Sequence, residues 1–348
     1  MICYFSKHYP NLNNAGNKAK TDIETIWQQQ GFKNIGISRQ TGKNKISGFL
    51  LTLASILKTS FSLRKNDILL IQYPLKKYYS FICRVARLKK ANTITLIHDL
   101  GSFRRQKLTI PQEIKRLNQS HYIVAHNTSM QKWLQDNGLA VPCGCLGIFD
   151  YLSPEPATDR LPNTSHYEIV YAGALSPRKN QFLYQIGKFI TNHRIHLYGK
   201  GFEPALAQGK KQFDYRGFIP SDKLIREVKG DFGLVWDGDS VSACSGDWGH
   251  YLQYNNPHKT SLYIRCELPV IIWKKAALAS FIKDNGIGIC VDSLEELNDI
   301  LNHLSPEDII NMKKNIKSVS QKLANGHYTL SATQTAIEKL QQHLPASN

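Results

Sequence analysis

Asp67-Ile68-Leu69-Leu70-Ile71-Gln72-Tyr73 is an apolar run without polar alternation; a helical pattern over residues 78–90 follows it, then a second such run, Thr93-Ile94-Thr95-Leu96-Ile97-His98. A strand that is apolar on both faces is covered on both, and strands of this kind separated by helices signify a parallel sheet. The alternation extends outward in both directions. Residues 2–5 and 34–38 read as strands around a helix at 14–30, with apolar residues at Ala15, Ala19, Ile23, Ile26 and Trp27. A helix is expected at about 47–62, a strand at 122–125 and a helix at 128–137. Residues 150–159 break the pattern with Pro, Ser, Thr and acid, and read as a linker. Beyond it the alternation restarts, with strands at 168–172, 194–198, 232–236, 269–273 and 287–291. Helices are expected at 181–191, 221–229, 259–266, 276–285, 294–304 and 306–323, and a terminal helix at 328–344. The sequence therefore predicts an α/β protein of two Rossmann-like domains, with ligands at the carboxyl edges of the sheets in a cleft between them.

Composition excludes several classes. The 348 residues are 42% hydrophobic and 20% charged, with 23 Gly and 14 Pro, which rules out disorder and a collagen-like chain. The seven cysteines are odd in number and scattered, with neither a CxxC pair nor zinc spacing, and fit free thiols in a reducing compartment. Met1 leads into a strand pattern with no basic leader, so a secretory signal is not expected. The longest apolar run, residues 46–57, falls short of the roughly 20 residues that cross a bilayer. The expected location is the cytoplasm, peripheral on the inner face of the membrane where the basic half meets it. Residues 1–150 hold 22 Lys and Arg against 7 Asp and Glu, while the rest of the chain holds 22 against 20. A half at net +15 calls for an anionic partner or serves solubility. Helix-turn-helix, RNP and KH patterns are missing, which argues against nucleic acid.

The stretch richest in chemistry is Tyr254-Asn255-Asn256-Pro257-His258-Lys259-Thr260-Ser261. Asn256 before Pro257 is a helix start, and the orphan amides, the positive dipole end and the Lys259 ammonium together suit an anion, with Thr260 and Ser261 as further donors. The same residues also read as an ordinary capped helix with a surface lysine. Ala172-Gly173-Ala174-Leu175-Ser176-Pro177-Arg178-Lys179 ends a strand in a small-residue turn followed by two cations that suit phosphate. Tyr198-Gly199-Lys200-Gly201 follows another strand, without the third glycine and acid of a dinucleotide site.

Phe232-Gly233-Leu234-Val235-Trp236-Asp237-Gly238-Asp239, the Asn255-Asn256-Pro257-His258-Lys259 string, Leu268-Pro269-Val270-Ile271 and Asn285-Gly286-Ile287-Gly288 resemble the C-terminal half of bacterial GT-B sugar transferases. Groups it is similar to are the β-1,6-galactofuranosyltransferases of surface-polysaccharide clusters and the glucosyltransferases that extend adhesin O-glycans. The resemblance is dense over residues 160–290 and looser before. It implies a GT-B hexosyltransferase with an acceptor domain at 1–150, a UDP-sugar domain at 151–325, and residues 326–348 packing back toward the first. It implies that Lys259 and the helix start at Asn256 hold the diphosphate, with Arg178 assisting and Tyr198 and Gly199 flanking the uridine; Gly173, Lys179, Trp236, Asp237, Asn255, Thr260 and Ser261 complete the expected donor site. Galactofuranose is the first choice of sugar, with glucose and galactopyranose open.

The loop 237–249 lacks the Glu-x7-Glu pair frequent in retaining relatives, so inversion through one general base is expected. Asp99, ending the strand at 93–98, is the first candidate, with His98 orienting it or acting in its place. Asn14, Gly16 and Tyr73 are acceptor-side candidates. Asp237-Gly238-Asp239 has the form of a metal motif, but a lysine and a helix terminus neutralise a departing diphosphate in a GT-B site, so neither metal nor cofactor is expected. The expected partners are a UDP-sugar and a glycan acceptor. A membrane-peripheral surface meeting a lipid-pyrophosphate-linked acceptor accounts for the basic half. A homo-oligomer is left open.

Overall fold

The structure, a computed structural model, describes residues 1–342 except 8, 10–14, 40–44, 76–77, 104–105 and 160–165. Two compact units emerge: Met1–Asp150 with Gly326–Asn348, and Tyr151–Asn325.

The first unit runs β1 (Ile2–Tyr4), α1 (Ala15–Gln29), β2 (Lys33–Asn34), α2 (Lys45–Ser62), β3 (Ile68–Tyr73), α3 (Tyr78–Leu88), β4 (Asn92–Ile97), α4 (Ile110–Leu117), β5 (Tyr122–Ala125), α5 (Thr128–Asp136) and β6 (Cys143–Cys145). Its strands form one parallel sheet in the order β2-β1-β3-β4-β5-β6, with Leu70 opposite Ile94 and Leu96 opposite Val124. All six residues of β3 are buried, as a strand covered on both faces must be.

The second unit runs β7 (Glu168–Ala174), β8 (Arg194–Lys200), β9 (Phe213–Gly217), α6 (Ser221–Glu227), β10 (Phe232–Val235), α7 (Gly246–His250), α8 (His258–Arg265), β11 (Val270–Trp273), α9 (Ala279–Asp284), β12 (Gly288–Val291), α10 (Leu297–Asn302) and α11 (Pro306–Ala324). Its parallel sheet is ordered β12-β11-β10-β7-β8-β9, so the chain reverses its direction of travel between β7 and β10. The linker is firmly held within this unit: the buried Arg265 donates from Nε to the Tyr151 carbonyl at 3.2 Å and from Nη1 to Ser320 Oγ at 2.9 Å.

The last helix, α12 (His327–Gln342), joins the first unit, burying Ala336, Ile337 and Leu340 with Trp27, Leu70 and Val124. Gly326 turns the chain at φ +72°, where a Cβ would press on Ile26. Trp27 Nε1 donates to Thr333 Oγ1 at 3.2 Å. The buried Asp150 caps this helix, accepting from the amides of Tyr328 at 3.2 Å and Thr329 at 2.6 Å.

The chain departs from the periodicity reading at several elements, among them the short helix α7 in the stretch read as a loop. Residues 181–191 form two short 3-10 turns rather than an α-helix. Tyr184 ties this segment to β7 through the Leu175 carbonyl at 2.6 Å, and Gly187 lies so close to the Gln208 carbonyl that no Cβ fits. Helix α4 was not read; it starts at a capping box in which Thr109 and Gln112 cap one another's amides. Strands β6 and β9 are sheet edges, too short and too polar for an apolar run to announce them.

Burial pushes the Asp150 carboxyl up to about 6, against the pull of the amides that bond it. The folded chain then keeps this proton where the unfolded chain has lost it, so stability falls as pH rises from about 4 to about 6 and is level above. Chemical denaturation of wild type and Asp150→Asn across this range should show their difference changing by on the order of 3 kcal/mol. A difference independent of pH would mean that the carboxyl titrates normally.

Candidate active site

Open α/β sheets bind ligands beyond the carboxyl ends of their strands, where the strand order reverses. In the second unit that point lies between β7 and β10. Tyr171 points into it from β7, Trp236 and Asp237 follow β10, and Lys259 is the second residue of α8. Lys259 Nζ donates to Asp237 Oδ1 at 2.9 Å, Tyr171 Oη at 3.0 Å and the Trp236 carbonyl at 3.3 Å, and lies 4.4 Å from the centre of the Tyr171 ring. Burial, and then the Asp237 charge, raise the Tyr171 phenol well above its ordinary pKa, so it stays a neutral donor and acceptor.

One turn beyond Lys259, Tyr263 fixes α8 against the sheet by accepting from the Ala172 amide at 2.8 Å. Its ring lies on Gly233, where any Cβ would enter it. The glycine in β10 is thus a condition for the lysine to reach β7. Helix α8 begins at His258 with Pro257 as its N-cap, so Asn256 lies just before it, and Pro257 has no side-chain group with which to cap it. The positive end of the helix dipole therefore lies beside an ammonium. Asn255 Oδ1 and Thr260 Oγ1, both next to this terminus, are buried without a hydrogen-bond partner.

The remaining donor-side residues divide. Gly173 at φ +149° faces open space, Arg178 is exposed, and Lys179 lies 4.9 Å from the centre of the Trp248 ring of α7. Gly199 at φ +157° abuts the Gly173 carbonyl, so a Cβ there would part β7 from β8. Asn256 is buried beside the α8 terminus. Four side chains are placed otherwise than as ligand contacts. Thr260 and Ser261 are 0% and 1% exposed, because their positions in α8 face inward. The Trp236 ring is wholly buried and donates to the Ser240 carbonyl at 2.9 Å, leaving its own carbonyl to Lys259. Tyr198 is buried, its hydroxyl accepting from the Lys229 amide at 3.3 Å. The two aspartates of the Asp237-Gly238-Asp239 string serve separate partners, Lys259 and Ser245. Among the described residues no group of three or more His, Cys, Asp or Glu converges as a metal site.

In the first unit, His98 and Asp99 follow β4 and are half-buried. His98 stacks on Phe149 with centroids 5.3 Å apart, and its Nε2 lies 2.7 Å from Gln72 Oε1. Gln72 Nε2 donates to the Lys20 carbonyl at 3.2 Å, so its Oε1 accepts, which puts the imidazole proton on Nε2 and leaves Nδ1 as the basic nitrogen. Behind Gln72, Nε2 is 3.5 Å from the buried Glu24, which also accepts from Ser6 Oγ at 2.7 Å, Arg39 Nε at 3.1 Å and Tyr9. A second buried carboxylate, Glu113, anchors the loop after Asp99 by accepting from the amides of Gly101 and Ser102, both at 2.8 Å. Tyr73 donates to the same Glu113 at 2.8 Å and is buried, so it supports this loop from beneath rather than meeting an acceptor. Gly16 is exposed in α1, and Asn14 lies outside the described residues. Sequence reasoning missed Gln72, Glu24 and Glu113, whose roles come from partners at least 26, 15 and 11 residues away.

Family models described as the N-terminal and C-terminal domains of glucosyltransferase 3-like proteins match residues 2–148 and 169–336. The β-1,6-galactofuranosyltransferase WbbI of Escherichia coli (strain K12) is 32% identical over 329 residues, 94% of this chain and 95% of that protein. This chain belongs to the glucosyltransferase 3-like family. Glucosyltransferase 3 of Streptococcus gordonii is 24% identical, spanning 84% of this chain and 88% of its own length. Sucrose-phosphate synthase of Thermosynechococcus elongatus shares the GT-B fold, with a TM-score of 0.59 over 98% of this chain and 99% of its own at 12% identity. The chain is a glycosyltransferase, as its family relatives are.

For this glucosyltransferase 3-like chain, the Lys259–Asp237 pair has a measurable consequence. Removing one partner of a buried pair strands the other charge at a cost of about 3–5 kcal/mol. Lys259→Ala should lose this much in denaturant titrations, and Lys259→Met combined with Asp237→Asn should recover most of it. Equal losses in the single and double variants would show that the two groups are not coupled.

Proposed function

We propose that the protein transfers a hexose, with galactofuranose the first choice, from a UDP-sugar to a glycan acceptor in cell-surface polysaccharide synthesis. The observation that carries the reading is the Lys259 ammonium in the first turn of helix α8, at the strand-order reversal of the second unit. A diphosphate placed there meets an ammonium, amides and a dipole end, which together stabilise the charge that develops as UDP departs. Asp237 holds the lysine in place before the donor arrives, and the diphosphate then competes with it for the ammonium. Gly173 admits a ligand to the backbone, and Arg178 supplies a second cation. No divalent ion or other cofactor enters this reading.

In the same reading the acceptor hydroxyl attacks the anomeric carbon as the bond to UDP breaks, and its proton passes to Asp99 or to His98 Nδ1, with inversion. The Gln72–Glu24 chain orients the imidazole. The acceptor is carried on a lipid pyrophosphate and met at an anionic membrane surface, which suits the charge of residues 1–150. Support for galactofuranose is the 32% identity to a protein named as a galactofuranosyltransferase.

Calorimetry with UDP in EDTA tests the donor site. Wild type should bind, and the Lys259→Met, Asp237→Asn double variant should bind at least about tenfold more weakly at an unchanged melting temperature. Asp99→Asn should keep UDP affinity and lose about 100- to 10,000-fold in transfer. Absence of UDP binding, or undiminished binding by the double variant, would overturn the site. Hydrolysis rates across UDP-galactofuranose, UDP-galactose and UDP-glucose would rank the donors.

A further inference from the structure

Helix α2 is inverted in polarity. Its inward face carries Gly48, Ser55, Ile56 and Thr59, all buried, with Ser55 Oγ bonding the Ser6 carbonyl and accepting from the Ile37 amide at 3.2 Å. Its outward face carries Ile46, Leu50, Leu57 and Phe61, exposed by 70, 56, 44 and 81%. Offsets of 4, 11 and 15 residues put these four on one stripe of the helix. Helix α3 lies alongside: the Phe49 and Tyr78 rings are 6.4 Å apart at one end, and Lys89 Nζ donates to the Phe61 carbonyl at 3.0 Å at the other. It adds two further exposed apolar side chains, Phe81 and Leu88, seven residues apart and so on one stripe of α3.

The charges around this apolar surface have one sign. Lys58, Arg64, Lys65, Arg84, Arg87 and Lys90 are exposed on or next to the two helices, and residues 45–66 and 78–91 contain no Asp or Glu. A helix built for the core would turn these leucines and phenylalanines inward, and a contiguous exposed apolar patch marks a surface meant to be covered. A cover that is apolar within and negative at its rim is the interfacial zone of a bilayer with anionic headgroups. Among the described residues no helix is long and apolar enough to cross a membrane, so the contact lies along the surface.

We propose that α2 and α3 form a docking face for an anionic lipid bilayer, with Leu57, Phe61, Phe81 and Leu88 entering the headgroup boundary and the flanking cations engaging its charge. This face gives a location to the membrane-surface part of the functional reading and rests on that part alone.

Flotation of the full chain with vesicles of phosphatidylglycerol and phosphatidylcholine, against phosphatidylcholine alone, tests the assignment at about 0.15 M salt. Wild type should float with the anionic vesicles. Leu57→Ser with Phe61→Ser should cut the bound fraction by at least about tenfold. Lys58→Glu with Arg84→Glu should weaken binding to anionic vesicles by a similar factor, since each cation near such a surface contributes roughly fivefold. These positions are exposed, so melting temperature and UDP affinity should stay at wild-type values; UDP titrations on the same variants separate failure of the docking face from failure of the donor site. Wild type that ignores anionic vesicles, or a Leu57/Phe61 variant that binds them normally, overturns the proposal. A lipid-independent dimer that the Leu57/Phe61 variant dissolves would assign the face to a second copy instead.

Discussion

One ammonium withdrawn from water sets the arrangement of the second unit's site. Lys259 is only 13% exposed in its side chain, and such a charge persists only where acceptors replace its lost hydration. Here they are a carboxylate, a phenol and a main-chain carbonyl, drawn from β7 and from the residues just after β10, strands that become neighbours only because the sheet reverses its order between them. The lysine reaches them because Tyr263 seats its helix on a glycine. Helix packing, strand order and local charge are thus parts of one constraint.

That constraint explains which sequence signals were informative. The strands β3, β4, β7, β10 and β11 are continuous apolar runs, so periodicity alone disclosed a doubly covered parallel sheet in each half, and Asn255 to Lys259 disclosed a helix start with a lysine in its first turn. The partner of Lys259 was less legible. Asp237 was visible as a loop acid, but pairing it with a lysine 22 residues on requires knowing that β10 and α8 are adjacent. Thr260 and Ser261 show the opposite error: their hydroxyls suit phosphate chemically, yet the helix rotates both inward.

In the first unit the limit lies elsewhere. Glu24 and Glu113 are unremarkable acids on amphipathic helices, indistinguishable in sequence from solvated ones. Only the fold reveals that each is buried and that its hydrogen bonds arrange the residues after β3 and β4. Burial raises the pKa of Glu24, and the donors around it are what make an ionised form tolerable there. Polar groups of this kind over-determine a local geometry, so the positions of His98 and of the loop after Asp99 are inherited from carboxylates that meet no solvent.

The return of the chain at Gly326 bears on how the molecule can be taken apart. Residues 151–325 are contiguous and hold all six strands of their own sheet, so a gene fragment bounded there keeps that sheet whole. Residues 1–150 do not: cut free of the tail, they would leave Trp27 and Val124 without Ala336 and Leu340, and Asp150 without the helix it caps. Deleting the carboxyl terminus would therefore injure the amino-terminal half, and during synthesis on the ribosome that half cannot complete its core until the last helix has emerged.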